Sequence, residues 1–410
     1  MELLTLPERR HTVVLHGRPV GVLHQWGDFT RFVMDNDYWR STDRSVLGLQ
    51  FEDDPWRQRS AALRVPAWFS NLLPEGRLRQ WIAEDRRVAA DREMELLAQV
   101  GHDLPGAVQV LPDRGEIPPL EAGVAPAAPE TPERTERVRF SLAGVGLKFS
   151  LLQVGDRLTL PAHGEGGDWI VKLPDAVHPG VPSNEAAMMS WAARCGMDVP
   201  EHRLFRKDDL PSLPEVAWPG GEDLAYAVRR FDRGPDRQLI HIEDFAQVRD
   251  FYPDAKYDGD FVTVAALAYR GHDRSALNEF VRRITFNVVV GNGDAHLKNW
   301  SLIYGDRRRA TLSPVYDLVS TAPYRDDGDE DLGLKFFGNK RFESVRLNHF
   351  DRLERRLAVA GGHLAELAAE TAQLTLNSLD DALRDVDDLP LVRDWLSVEV
   401  PTRAGWFGAR

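Results

Sequence analysis

A chain of 410 residues, 43% hydrophobic and 28% charged, is long enough to bury the cores of two or three domains of ordinary size. Its 51 Lys and Arg stand against 64 Asp and Glu, a net charge of −13. That balance excludes a free-standing, nonspecific nucleic-acid binder, although it leaves room for a local basic patch.

Cys195 is the single cysteine, so no intramolecular disulfide can form and a reducing compartment fits best. The first stretch, MELLTLPERRHTV, carries charge too early for a secretory leader, and no apolar run approaches the ~20 residues of a membrane helix. A cytoplasmic protein without a membrane span is expected. TVVLHGRPVGVLHQW (12–26) reads as two strands with a hairpin turn at Gly17-Arg18. Helical patterns follow in NLLPEGRLRQWIAED (71–85) and in DREMELLAQVG (91–101), the second stopped by Gly101. The proline-rich, acidic stretch 112–136 reads as a linker or long exposed loop. Strand signals then dominate to about residue 173. From about 240 onward the chain reads as mostly helical, with scaffold helices over 347–359 and 363–386.

Five clusters carry possible chemistry. In RVRFSLAGVGLKFSLLQV (137–154) two extended runs flank Ala143-Gly144-Val145-Gly146, a turn whose backbone N–H groups could approach a phosphate. An ordinary hairpin would use the same residues. In the strand DWIVKLP (168–174), Trp169, Val171 and Leu173 share one face while Ile170 and Lys172 share the other. In PSNEAAMMSWAARCGMDVP (182–200), Ser183 or Asn184 can cap a helix that Gly196 ends. Glu185, Met188, Met189 and Ala192 then align on a core-facing stripe. A strand lysine followed by a glutamate on the next helix is how kinases hold nucleotide phosphates. GNGDAHLKNW (291–300) presents Asp294, His296, Lys298 and Asn299 directly after an apolar run. Its Asp and Asn have the spacing of the protein-kinase catalytic loop. In LSPVYDLVSTAPY (312–324), Asp317 offers a second oxygen ligand for Mg²⁺. Each cluster alone is weak, but their order is that of a phosphoryl-transfer site. His296 lacks a neighbour at zinc-ligand spacing and reads better as a brace for its loop. Neither a G-x-S-x-G elbow nor a Walker P-loop occurs.

On these motifs, together with YAVRRFDR (226–233), FSNLLPEGRLR and LLAQVGHDLPGAVQVLP, the chain resembles the HipA-type serine/threonine kinases, the toxin half of bacterial HipBA pairs. The resemblance runs through nearly the whole chain. It implies an α/β (α+β) fold: a two-lobed, protein-kinase-like architecture with a small N-terminal subdomain (1–111). The 112–136 segment follows, then an N-lobe (137–235) and a helical C-lobe (236–410). It implies that Asp294 is the catalytic base, with His296 beside it, and that Asn299 and Asp317 bind Mg²⁺. ATP would be held by Ala143, Gly144, Val145, Gly146, Lys148, Lys172, Glu185 and Lys298, with Arg230 and Phe231 in the adenine hinge. Ser141 matches the serine this family autophosphorylates to silence itself. The implied substrate is a protein serine or threonine, possibly on an aminoacyl-tRNA synthetase. The implied partner is a HipB-like helix-turn-helix antitoxin, through which operator DNA is reached indirectly. Two other classes share parts of the pattern: a small-molecule or lipid kinase, and a non-catalytic co-repressor.

Overall fold

The structure, a computed structural model, describes residues 7–113, 148–154, 157–159, 166–213, 215–325 and 330–410. Ser141, Ala143–Gly146 and the 112–136 stretch beyond Asp113 lie outside the described residues.

The chain opens with an antiparallel sheet of β1 (Glu8–Leu15), β2 (Arg18–Trp26), β3 (Phe29–Met34), β4 (Arg59–Ala62) and β5 (Val108–Pro112), in the order β4-β3-β2-β1-β5. The β1–β2 turn falls one residue earlier than expected. His16 and Gly17 both take positive φ, the requirement of a two-residue hairpin loop that follows strand twist, and Arg18 already belongs to β2. Around this sheet lie α1 (Asn36–Arg40), α2 (Leu49–Asp53), α3 (Ala67–Ser70), α4 (Gly76–Arg86) and α5 (Glu93–Val100). The expected 71–85 helix begins only at Gly76, because Pro74 and the positive φ of Gly76 hold residues 71–75 in a turn. That turn proves important below.

A second sheet combines β6 (Lys148–Val154), β7 (Arg157–Thr159), β8 (Trp169–Lys172), β9 (His202–Arg206) and β10 (Leu224–Arg229), ordered β7-β6-β8-β10-β9. Helix α6 (Val181–Arg194) lies between β8 and β9 in the chain and begins before Ser183 and Asn184, which sit in its first turn. Gly196, at positive φ, follows its end. Period-two alternation divides the sheet's residues between two cores. Phe149, Leu151, Trp169, Val171, Ala225 and Ala227 join the core of the N-terminal sheet. Tyr226 and Val228 join the core of the C-terminal half.

That C-terminal half contains α7 (Phe245–Val248), α8 (Phe261–Tyr269), α9 (Arg274–Val290), α10 (Leu347–Leu357), α11 (Leu364–Asn377), α12 (Leu379–Asp385) and α13 (Pro390–Gly405). It is mostly helical, as expected, and carries two small sheets besides. β11 (His241–Asp244), β12 (Ser301–Tyr304) and β13 (Thr311–Leu312) form a small sheet, and β14 (Asp331–Phe336) pairs with β15 (Asn339–Arg341). The single helix expected over 363–386 divides at Ser378, whose hydroxyl bonds back to the Leu374 carbonyl at 2.7 Å.

Buried charge ties the N-terminal module to the segment after β10. Asp103 receives Arg230 at 3.0 Å and Arg233 at 2.8 Å, while Asp232 receives both guanidiniums at 2.9 Å. All four side chains are buried. Removing one anion from such a cluster leaves a buried cation short of its partner. Asp103→Ala should therefore cost about 3–5 kcal/mol of stability, read as a lower midpoint in urea denaturation. A midpoint equal to wild type would show that the guanidiniums find other partners.

Candidate active site

The register of the second sheet sets the site's ceiling. Lys148 stands opposite Lys172, and Lys172 opposite Tyr226. On the same face, Ser150, Ile170 and Val228 align one repeat further along. The face carrying Ile170 and Lys172 in the sequence reading is thus the face that looks toward the C-terminal half. Beneath it opens a cleft of about 840 Å³ lined by Lys148, Ile170, Lys172, Glu185, Val228 and the 229–232 segment above. Asp294, His296, Lys298, Asn299, Tyr316 and Asp317 line it below. A volume of this size suits a nucleotide-sized ligand.

Lys172 is pinned on two sides. Its ammonium meets Glu185 Oε1 of α6 at 2.6 Å and also pairs with Asp317. Burial opposes the charge on Lys172, but these two carboxylates push its pKa up. Asp317 is held far below the usual carboxylate range, because Lys172 and Lys148 outweigh its own burial. Burial raises the Glu185 carboxyl to about 7, against the pull of Lys172. Lys148 is different. Among the described residues it has no carboxylate at ion-pair distance, and burial together with the neighbouring Lys172 lowers its pKa to about 8. Two adjacent ammonium groups with one anion-free member make an anion-binding ceiling.

The opposite wall is built where α9 stops. Gly291 takes a left-handed φ of 68° and ends the helix. The loop that follows is then held by short-range hydrogen bonds. Asn292 Nδ2 donates to Asn287 Oδ1 (3.0 Å), Asp294 N–H donates to Asn292 Oδ1 (3.0 Å), and Asn299 Nδ2 donates to the Asp294 carbonyl (2.9 Å). The Asn299 amide is thereby oriented by its nitrogen, which leaves its oxygen as a donor atom for a cation. Gly293 N–H donates to Thr321 Oγ1 at 2.8 Å, and the Gly291 carbonyl accepts from Thr321 and Ala322. These bonds join the loop to the 317–324 segment at Thr321 and Ala322. Asn184 of α6 joins them, giving its amide N–H to the Ser320 carbonyl and accepting from Ser320 N–H.

Asp294 opens onto the cleft and accepts a hydrogen bond from the Tyr257 phenol. The protein packed around it raises its carboxyl to about 6, opposed by that hydrogen bond. His296 is buried, with its ring edge-on to Tyr257 at 5.0 Å, and its Nδ1 has no hydrogen-bond partner among the described residues. Burial and the nearby Lys256 depress it to about 3, so it is neutral at physiological pH and braces the loop by packing. Asp317 sits at φ 62°, a left-handed conformation uncommon for a residue with a side chain and often found at functional sites.

The donor set fits magnesium. Asp317 offers carboxylate oxygens and Asn299 an amide oxygen, and Mg²⁺ typically takes one or two such protein ligands and completes its shell with phosphates and water.

Two sequence-named residues are placed differently from their companions. The Arg230 guanidinium is consumed by Asp103, Asp232 and Ser150, and its backbone N–H donates to the Asp168 carbonyl at 2.8 Å, next to Phe231, whose ring lies 5.6 Å from Tyr316. The Lys298 ammonium turns to Glu75 (2.7 Å) and the Asn71 carbonyl (3.0 Å) of the N-terminal module. Tyr257 and Glu75 escaped the sequence reading. Tyr257 lies outside the quoted motifs, Glu75 lies in FSNLLPEGRLR without a chemical signature of its own, and the fold brings both to the loop.

Comparison with known proteins agrees with this geometry. Residues 11–111 match the family HipA N-terminal domain, and residues 140–382 match HipA-like C-terminal domain. A Sinorhizobium fredii protein named "Putative kinase Y4dM" is 39% identical over 404 residues, covering 95% of this chain and 96% of that protein. The serine/threonine-protein kinase toxin HipA of Shewanella oneidensis is 26% identical over 64% of each chain. Among solved structures, the Shewanella oneidensis complex of HipA, HipB and operator DNA superposes with a TM-score of 0.73 at 20% identity, covering 97% of this chain and 98% of that one. The family models span both modules and the chain belongs to the HipA family of kinases, with their two-lobed protein-kinase-like fold.

Proposed function

We propose that this protein is an ATP-dependent serine/threonine-protein kinase that serves as the toxin of a HipBA-type pair. The observation that carries the reading is the pair of neighbouring lysines, Lys148 and Lys172, on one wall of a cleft whose other wall carries Asp294, Asn299 and Asp317, the last reaching Lys172. One wall suits phosphates and the other suits a cation and an acceptor hydroxyl. In the reaction, the acceptor oxygen attacks the γ-phosphorus, the bond to the β–γ bridging oxygen breaks, and ADP departs. Asp294 takes the hydroxyl proton. Magnesium would supply charge neutralisation on the transferring phosphates, held by Asn299 and Asp317. Lys172, fixed by Glu185, would bind phosphate oxygens alongside Lys148. Residues Ala143–Gly146 would cover the phosphates, and the backbone of 229–231 would meet adenine.

The biological reading follows family members. A translation component such as an aminoacyl-tRNA synthetase would be the protein substrate. A HipB-like helix-turn-helix antitoxin would bind the kinase and bring it to operator DNA, by analogy with the Shewanella oneidensis assembly of HipA, HipB and operator DNA. The coherent acidic and amide set at the cleft weighs against a purely co-repressor role.

Asp294→Ala should lower phosphate transfer to protein by about 10²–10⁴-fold while ATP still binds. Wild-type transfer in a radiolabelled-ATP assay would remove Asp294 from the base role. Asn299→Ala and Asp317→Ala should each weaken Mg²⁺-ATP binding in calorimetric titration, Asp317→Ala more severely because it removes a full negative charge at a divalent ion. The double variant should fall short of the sum, since both residues serve one ligand; strict additivity would argue for separate roles. Prolonged incubation with Mg²⁺-ATP should yield phospho-Ser141 with reduced nucleotide affinity, because a phosphate adds about 1.5–2 negative charges beside the nucleotide's own. Mass spectrometry finding phosphate only at other residues would eliminate that switch.

A further inference from the structure

We propose that the N-terminal module is part of the catalytic machinery, with Glu75 acting as a positioning residue that clamps the 294–299 loop through Lys298 and Lys256. This inference rests on the kinase reading above and extends it to a residue far from the catalytic motif in sequence.

The geometry is specific. Glu75 Oε1 lies 2.7 Å from Lys298 Nζ, and its Oε2 lies 3.2 Å from Lys256 Nζ. The three side chains are only 15%, 5% and 10% exposed, so solvent screens the contacts weakly. Burial alone would raise the Glu75 carboxyl, yet the two ammonium groups hold it down to about 2. Lys298 gives a further hydrogen bond to the Asn71 carbonyl at 3.0 Å. Asn71 is itself anchored, because its amide donates to the Ala67 and Phe251 carbonyls at 2.9 and 2.7 Å. The clamp is therefore the turn 71–75 that Pro74 and Gly76 keep out of helix α4.

On the other side, both lysines belong to the loop's support. Lys298 precedes the proposed metal ligand Asn299, and its carbonyl accepts from the Tyr316 hydroxyl at 2.8 Å. The Lys256 carbonyl accepts from Leu297 N–H at 3.1 Å, and Lys256 adjoins Tyr257, whose phenol bonds Asp294. One carboxylate thus fixes both flanks of the loop that carries the base. It also gives two cations a partner away from the nucleotide phosphates. Without it, two ammonium groups would be free to turn toward Asp294, Asp317 or the phosphates.

Glu75→Gln keeps the shape and removes the charge, and Glu75→Asp keeps the charge on a shorter arm. For Glu75→Gln we expect kcat to fall about 10–100-fold, as for other residues that orient catalytic groups, with KM for ATP changed less than about threefold. Hydrogen exchange at the amides of 292–299 should quicken. Glu75→Asp should recover part of both. Unchanged kcat, unchanged exchange in the loop, or a fall in kcat matched by an equal loss of folded enzyme in active-site titration would each overturn the clamp. Should the wild-type chain transfer no phosphate to any protein, the kinase reading fails instead, and the exchange comparison by itself then supports or overturns the clamp.

Discussion

The site depends on the register of β6, β8 and β10. Strand residues alternate between faces, so a slip of one position would swap every inward and outward side chain. In the observed register Phe149, Leu151, Trp169 and Val171 are buried against the N-terminal module, and this apolar set forces Lys148 and Lys172 onto the cleft face. Hydrophobic burial on one side of a sheet therefore fixes electrostatics on the other. The lysines need no dedicated device to aim them. Glu185, carried by α6 under the same sheet, only has to refine the position of one.

The lower wall follows a different logic. A long helix, α9, is stopped abruptly by a left-handed glycine, and the chain that follows is stitched by asparagine side chains to itself and by Thr321 to the 317–324 segment. Polar bonds over short spans give a rigid loop without a local apolar core. Backbone strain at this wall is confined to Asp317, whose left-handed φ turns its carboxylate to Lys172. The two walls meet where Lys172 pairs with Asp317 and where Asn184 of α6 bonds Ser320.

The alternation in DWIVKLP placed Lys172 correctly because a buried strand obeys its period wherever it lies. The Asp-x-His-x-x-Asn spacing was readable because a tight loop fixes its own geometry. Side-chain partners contributed by distant modules are not legible in the same way. Lys298 reads as one more cation in a catalytic loop, and nothing local says that a carboxylate more than two hundred positions earlier claims it. Arg230 reads as a hinge residue, and nothing local says that its guanidinium is spent on Asp103. The 71–85 helix was over-extended at its start because its apolar period continues across Pro74. The helical reading after residue 240 missed β11 to β15, short strands whose pairing is decided by neighbours rather than by their own pattern.

The shared core beneath the second sheet has a consequence for any attempt to pare the enzyme down. Trp169, Phe149, Leu151, Val171, Ala225 and Ala227 lie in one apolar cluster with residues of the first hundred, including Trp68, Phe69 and Leu97. A fragment cut just before residue 137 would keep every residue of the motifs named in the sequence for phosphoryl transfer. It would also present the whole back of its nucleotide-binding sheet to water, a large apolar surface prone to self-association. The two modules accordingly share one core, and swapping C-terminal halves between relatives would require the facing N-terminal surface to travel with them.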